Sequence, residues 1–261
     1  MIGQAVRYER RGSAVWLVID QEERRNALSD DVIEGLLAGL ERAATDEAVR
    51  VVVLTGQGDR AFCAGGDLTG NLAPGEGRVR SHDRRGAVAA LLTAVLAHAK
   101  PVVARVNGVA LAGGFGLMLA CDIVVAAEDI EVGTPEINLG LWPYMISAVV
   151  LRNVPRKVMT EMMMTGRRIS AVEAERWGMV NRVVPRTGLD EAMDELVGEL
   201  ASKSPLVLRL GKESLVRSQD LPLDEALAYL QAMLTVNLES EDVIEGVSAF
   251  LEKRKPEWKG R

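Results

Sequence analysis

Histidine and cysteine are scarce in this chain of 261 residues, which contains two of each. Cys63 and Cys121 stand among apolar or small residues without CxxC spacing, which is typical of buried free thiols in a reducing compartment. No cluster of metal ligands is apparent, so no metal site is expected. His82 and His98 show no serine or cysteine partner for nucleophilic catalysis and are predicted to lie at the surface. Any acid–base chemistry must therefore come from carboxylates.

An excess of positive charge is also lacking, since 31 Lys and Arg face 37 Asp and Glu. The net charge of −6 disfavours nucleic acid as a partner, because no basic field is available to attract phosphates. The local basic run "RVRSHDRR" (78–85) is interpreted as a solvated loop or helix face, with contacts to a few phosphates of a small ligand as the alternative.

Long apolar runs are missing as well. None approaches the roughly 20 residues that a membrane span needs, and the first twelve residues lack the apolar core of a signal peptide. We therefore expect a cytoplasmic protein that does not bind a membrane.

Apolar residues are nevertheless abundant, at 48% of the chain. This is enough for one large domain, or for one domain with an appended subdomain. Apolar β-branched runs alternate with helical patterns in the first half, which predicts an α/β fold with mostly parallel strands. Strands are predicted at 5–10, 13–20, 49–56, 101–108 and 123–129, helices over 29–46 and 86–99, and a mobile loop over 69–84. From about residue 143 the pattern is helical, apart from a short strand within 179–185.

Two glycine-rich segments, "AFCAGGDL" (61–68) and "ALAGGFG" (110–116), follow buried strands. Glycine allows the backbone to approach a ligand closely, and a helix N-terminus presents free N–H groups. Two such groups that converge on one point would stabilise an oxyanion. The segments lack the Lys-Ser/Thr of a phosphate loop, and the pattern GxGxxG fails because Leu119 replaces its last glycine. The alternative is that both are simple tight turns.

The segment "VGTPEINLGLWP" (132–143) contains the most informative carboxylate. Thr134 could cap a helix that starts at Pro135, with Glu136 in the first turn. Glu136 is then either an acid that stabilises the helix dipole, or a base for a substrate. In the second case we expect apolar neighbours to raise its pKa, namely Ile137, Leu139, Leu141 and Trp142.

Taken together, segments from nearly the whole chain resemble the crotonase family, the enoyl-CoA hydratases and isomerases. The order and spacing of the segments make the resemblance specific. They are "RRNALS" (24–29), "AFCAGGDL" (61–68), "KPVVARVNGVALAGGFGLMLACDIVVAAED" (100–129), "GTPEINLG" (133–140), "ISAVEAERWGMVNRVVP" (169–185) and "SAFLEKRKPEW" (248–258).

The resemblance implies a spiral of strand–strand–helix turns that binds acyl-CoA over residues 1–200. It implies a helical region over 201–261 that completes the site and builds trimers, often paired into hexamers. The ligand would be an acyl-CoA thioester, so that coenzyme A enters with the substrate and no separate cofactor is needed. The thioester oxygen would lie between the N–H groups of Gly66 and Gly113, and Glu136 matches one of the two glutamates of the hydratases.

The resemblance also implies positions that bind the rest of the substrate. Arg24, Arg25 and Ala64 match the segment that holds the nucleotide part of CoA. Phe250 and Lys253 match C-terminal residues that reach a CoA, often that of a neighbouring subunit. The full set of expected binding residues is Arg24, Arg25, Ala64, Asp67, Gly116, Trp142, Phe250 and Lys253. Residues 69–84 and 141–145 are expected to shape the acyl pocket.

One position departs from the family, because Gly116 stands where the hydratases carry their other glutamate. Hydration needs two carboxylates, whereas moving a proton between carbons needs one. Double-bond isomerisation with Glu136 as acid and base is therefore the first expectation. Hydration or another enolate reaction, with Asp67 or Asp122 as a second acid, remains an alternative. The other alternative is a protein that binds acyl-CoA without catalysing a reaction.

Overall fold

The computed structural model describes residues 5–67 and 78–261. Its strands are β1 (Val6–Arg11), β2 (Ala14–Ile19), β3 (Val51–Gly56), β4 (Ala61–Cys63), β5 (Val102–Val106), β6 (Val109–Leu111), β7 (Ile123–Ala127), β8 (Glu131–Gly133), β9 (Arg168–Ser170) and β10 (Arg182–Val184). Its helices are α1 (Asp30–Thr45), α2 (Arg78–Leu96), α3 (Gly113–Ala120), α4 (Tyr144–Asn153), α5 (Arg156–Thr165), α6 (Ala171–Arg176), α7 (Leu189–Ala201), α8 (Pro205–Ser218), α9 (Leu223–Leu238) and α10 (Glu241–Glu252).

A six-stranded sheet in the order β1-β2-β3-β5-β7-β10 forms the centre of the fold. Only β1 is antiparallel to its neighbour, and the other pairs are parallel. Every residue of β2 and β3 is buried, as expected for apolar strands covered on both faces. The predicted α/β class with mostly parallel strands is thus confirmed.

A second sheet, in the order β4-β6-β8-β9, was not predicted from the sequence. Its strands have three residues each, which is too short for a period of two to be recognised. β4, β6 and β8 run parallel to one another, and β9 is antiparallel to β8. This small sheet positions the candidate site.

Helix α2 begins at Arg78, so the loop predicted over 69–84 is wrong for residues 78–84. The basic first half of α2 has no apolar stripe that would have predicted a helix. The remainder of that predicted loop lies outside the described residues. Helix α1 begins after Ser29, as the sequence indicated, because this side chain accepts a hydrogen bond from the first helical turn. Ser170, Ser204 and Ser240 accept the same kind of bond at the starts of α6, α8 and α10.

Polar contacts join helix α8 to the first half of the chain. Lys212 of α8 donates hydrogen bonds to Asp122 Oδ2 at 2.7 Å and to the Val95 carbonyl at 3.2 Å. Helix α9 buries none of its residues within the single chain. In the part of the chain that the structure describes, no helix has the length and apolar character needed to cross a bilayer.

Candidate active site

Three neighbouring parallel strands of the small sheet end at the same edge. β4 leads into Ala64–Gly66, β6 into Ala112 and Gly113, and β8 into Thr134–Glu136. The N–H of Ala112 donates a 2.9 Å hydrogen bond to the carbonyl of Gly133, which holds the second and third of these segments together. The two glycine segments and Glu136, far apart in sequence, therefore leave the sheet side by side.

The two glycine segments are in backbone contact. A Cβ atom on Gly65 would lie 2.7 Å from Ala112 Cβ and 3.3 Å from the amide nitrogen of Gly113. A Cβ atom on Gly113 would lie 3.5 Å from the amide nitrogen of Gly66. Within residues 5–67 and 78–261, neither the Gly66 nor the Gly113 N–H donates to an acceptor. Two free N–H donors thus lie close together, as an oxyanion hole requires.

Unusual backbone angles orient these donors. Gly65 has φ +104°, which an L side chain rarely adopts. Ala112 has φ +51° and ψ −125°, although it is not glycine, and such a conformation costs of the order of 1–3 kcal/mol. The bond from Ala112 to Gly133 holds this conformation directly before Gly113, where α3 begins. Strain of this kind is typical of functional segments.

Glu136 lies in a short 3-10 turn, Pro135–Leu139, that follows β8. Its side chain is half-buried, and its Oε2 atom is buried without a hydrogen-bond partner in the described structure. Burial raises the pKa of this carboxyl, because the charged form loses its solvation. A desolvated carboxylate with one oxygen free of protein partners has the character of a general base.

Thr134 behaves differently from the prediction. It precedes the turn, but its side chain makes no capping bond. Its hydroxyl is buried without a partner among the described residues, two positions before Glu136. A buried polar atom without a partner is costly, so Thr134 adds a second free polar group to this edge of the sheet.

The apolar residues that follow Glu136 differ in burial. Trp142 is half-buried and packs against the core. Leu139 and Leu141 are 63% and 45% exposed in the single chain, and Ile137 is 37% exposed. These three residues leave an apolar surface next to the turn that carries Glu136.

Arg24 and Arg25 lie beside the first glycine segment. Arg24 Nη2 and Asp67 Oδ2 form a 2.5 Å ion pair, and the N–H of Ala64 donates to the carbonyl of Arg25 at 3.1 Å. Both arginine side chains are exposed. The structure therefore brings Arg24, Arg25, Ala64 and Asp67 together at one end of the hole.

Asn26, which the sequence-based reasoning did not select, holds this group in place. It is completely buried, and its Nδ2 donates to the Ala61 carbonyl at 2.7 Å and to the Gln57 carbonyl at 3.0 Å. Arg25 and Asn26 both have φ +54°. The motif "RRNALS" was the available signal, because asparagine tolerates left-handed backbone and can bond to the main chain.

Phe250 and Lys253 lie at the end of α10, and Lys253 ends this helix with φ +56°. Phe250 is 82% exposed. No hydrogen bond or ion pair of the described residues connects these two side chains to Glu136 or to the glycine segments.

Gly116 lies in the first turn of α3 and is buried. A Cβ atom there would overlap the Cγ2 methyl of Ile146 and would lie 2.7 Å from Ile146 Cβ. Ile146 belongs to α4 and is 3% exposed. The space next to Gly116, where the resemblance implies the second glutamate of the hydratases, is therefore filled by an apolar side chain from another helix.

His98 is not at the surface, contrary to the prediction. It is 6% exposed, with Nε2 3.1 Å from the Leu40 carbonyl and Nδ1 3.2 Å from the Lys100 N–H. Burial lowers its pKa, so the neutral form that donates from Nε2 satisfies both contacts. Asp122, the possible second acid, bonds to Lys212 and to the Val102 N–H, which is typical of a structural role.

Both cysteines are free and buried, as predicted. Burial raises the pKa of the Cys63 thiol to about 12 and also raises the pKa of Cys121. Such thiols are protonated and unreactive at neutral pH. Glu136 is thus the titratable group that the site geometry favours.

Comparison with known proteins agrees with this geometry. The Enoyl-CoA hydratase/isomerase family model matches residues 9–261. The chain is 36% identical to Carnitinyl-CoA dehydratase of Proteus mirabilis, with all of both chains covered. It is 42% identical to Carnitinyl-CoA dehydratase of Salmonella typhi over 83% of this chain and 84% of that protein.

Solved structures show the same fold. The crystal structure of enoyl-CoA hydratase from Bacillus anthracis matches with a TM-score of 0.93 and 33% identity, covering 99% of this chain and 100% of that one. An enoyl-CoA hydratase structure from Mycobacterium smegmatis also matches with a TM-score of 0.93, at 34% identity over 97% and 98% of the two chains. The crotonase fold expected from the sequence is confirmed, and the chain belongs to the enoyl-CoA hydratase/isomerase family of acyl-CoA enzymes.

Proposed function

We propose that this enzyme converts an acyl-CoA thioester through an enolate, with Glu136 as its single acid and base. The observation that supports this most strongly is the pair of free N–H groups on Gly66 and Gly113, next to a desolvated carboxylate. The thioester oxygen would accept hydrogen bonds from both N–H groups. Glu136 would then remove a proton from the α-carbon, and the negative charge would develop on that oxygen.

Double-bond isomerisation is the reaction that one base can complete. With a β,γ-unsaturated thioester, Glu136 breaks the C–H bond at the α-carbon, and the electron pair spreads into a dienolate. The protonated Glu136 then returns the same proton to the γ-carbon, and the double bond moves to the α,β position. No water and no second acid take part, because the one carboxyl group both removes the proton and returns it.

Hydration and its reverse form the second candidate, which the names of the relatives favour, since they are dehydratases. Such a reaction needs a group for the oxygen at the β-carbon as well as a proton at the α-carbon. The candidates for a second acid already have cationic partners, since Asp67 pairs with Arg24 and Asp122 with Lys212. Gly116 offers none. These contacts favour isomerisation.

A panel of acyl-CoA thioesters tests the proposal when isomerisation, hydration and α-proton exchange in heavy water are measured together. We expect exchange at the α-carbon of saturated thioesters and isomerisation of β,γ-enoyl thioesters. A protein that only binds acyl-CoA would catalyse neither. Hydration at an ordinary enzyme rate, with kcat of about 10 s⁻¹, would instead favour the second candidate.

The pH dependence of exchange should reflect the buried carboxyl. Because burial raises the pKa of Glu136 above the ordinary glutamate value of about 4.3, the ionised base is lost at a higher pH than usual. We expect kcat/KM to decrease on the acid side with a midpoint above that value. Circular dichroism at each pH separates this titration from acid unfolding. A midpoint at or below the ordinary value would contradict the assignment.

The C-terminal helices carry an unpaired apolar face that we propose as the interface of a homotrimer or hexamer. The exposed apolar residues of α9 and α10 are Leu223, Leu227, Leu230, Leu234, Val236, Leu238, Ile244, Val247, Phe250 and Leu251. Exposed apolar residues concentrated on two consecutive helices are typical of an interface. Sedimentation should give three or six times the 28.2 kDa of the chain. A monomer at micromolar concentration would refute the assembly and the role of Phe250 and Lys253 at a neighbouring CoA.

A further inference from the structure

Ile146 and Gly116 form a matched pair across two helices. A side chain at Gly116 would overlap Ile146 Cγ2, and both residues are buried. The glycine therefore provides the space in which the isoleucine sits. Truncating Ile146 to alanine would leave its Cβ atom 2.7 Å from a new Cβ atom at residue 116. The Ile146 Cα atom would lie 3.6 Å from that new atom, which is an ordinary contact distance.

This pair lies between the two halves of the candidate site. Gly113 and Gly116 are three residues apart on α3, so they share one face of the helix. Helix α4 follows the turn that contains Glu136, and the Leu141 N–H donates to the Glu136 carbonyl at 3.1 Å before the helix begins at Tyr144. Ile146 thus connects the helix of the oxyanion hole with the segment that carries the base.

We propose that Ile146 determines the reaction of this site by closing the position where a second acid and its water would stand. The inference rests on the proposed function and specifies its substrate class, the β,γ-unsaturated acyl-CoA thioesters. An isoleucine side chain offers water no hydrogen bond, and a buried water needs two to four polar partners. The enolate formed at the hole is therefore protonated at carbon by Glu136 and is not coupled to addition of water.

Three variants that change the space between residues 116 and 146 test this proposal. They are Gly116→Glu, Ile146→Gly and the double variant with both changes. The single Gly116→Glu variant should lose thermal stability without gaining hydration, because its side chain meets Ile146. Ile146→Gly should gain no hydration, because it adds no acid. In the double variant, the ratio of hydration of a short α,β-enoyl thioester to α-proton exchange should be at least tenfold higher than in the wild type.

Two results would overturn the inference. One is a folded double variant that exchanges α-protons but whose ratio of hydration to exchange is no higher than that of the wild type. The other is hydration by the wild type at an ordinary enzyme rate, since Ile146 would then exclude neither a second acid nor its water. A wild type that exchanges no α-proton on any thioester would refute the proposed function itself, so the two failures are distinguishable.

If the double variant does not fold, a milder substitution tests the inference. Ile146→Ala removes the methyl groups nearest Gly116 and should favour thioesters with a methyl group at the β-carbon over linear ones. The ratio of kcat/KM values should change at least tenfold, as is typical when a pocket gains the space of a methylene group or more. Leu151→Ala, on the exposed face of the same helix, is the matched control and should leave the ratio unchanged. An unchanged ratio in Ile146→Ala would overturn the inference.

Discussion

Replacing Glu136 with glutamine is expected to reduce α-proton exchange and isomerisation by about 10²–10⁴-fold, the usual contribution of one general acid–base group. Glutamine keeps the size of the side chain but cannot take a proton from carbon. Because the Oε2 atom of Glu136 has no protein partner among the described residues, placing an amide nitrogen there breaks no hydrogen bond at that atom. The loss should therefore appear in kcat, with thioester binding retained.

The same variant should not lose stability. A carboxyl whose pKa is higher in the folded state stabilises the fold below its unfolded pKa, and this contribution is lost as the pH rises through the folded pKa. At neutral pH the ionised, desolvated carboxylate opposes folding. The glutamine variant should consequently have a melting temperature equal to or above that of the wild type at pH 7.

Glu128→Gln is a control for the loss of a carboxylate, because Glu128 is exposed and lies between β7 and β8, outside the turn that carries Glu136. It should change neither exchange nor melting temperature. If Glu136→Gln turned over at the wild-type rate, Glu136 would be only the acid at the start of its helical turn. A decrease in melting temperature together with the loss of activity would indicate a structural role instead.

The strands of the large sheet could be predicted because their signal is local. β2 and β3 are apolar runs with turn residues after them, and a serine that caps α1 marks the start of that helix. The small sheet could not be predicted in this way. Three residues of β4 or β6 carry no periodicity, and these strands exist because neighbouring strands provide their hydrogen bonds.

The site shows the same division between local and distant signals. Glu136 and the glycine segments could be predicted as site residues from their residue types, because glycine permits close approach of the backbone and glutamate can act as an acid or a base. The burial of His98 depends on a carbonyl 58 positions earlier in the chain, and the closure over Gly116 depends on a helix 30 residues later. Contacts of this kind leave no pattern in the local sequence.

Replacing Gly113 with alanine is expected to reduce turnover by about 10²–10³-fold, the effect of losing one oxyanion donor. The added methyl group would lie 3.5 Å from the amide nitrogen of Gly66 and 3.2 Å from Leu28 Cδ1, so it would occupy the space between the two donors. Gly113 does not have a positive φ, and alanine therefore fits its backbone. The Leu28 side chain would have to shift by a few tenths of an ångström, so the fold should be retained.

Gly198→Ala provides the control for this substitution, because a Cβ atom there meets nothing within 4 Å in helix α7. It should leave turnover unchanged and raise stability by up to about 1 kcal/mol, since alanine is the better helix former. Exchange rates on saturated thioesters and melting temperatures should be measured for both variants. A folded Gly113→Ala enzyme that exchanges α-protons at the wild-type rate would place the thioester oxygen away from Gly66 and Gly113. The free N–H groups at the ends of β4 and β6 would then have no part in the chemistry, and Glu136 would have to act on a carbon whose negative charge is stabilised elsewhere.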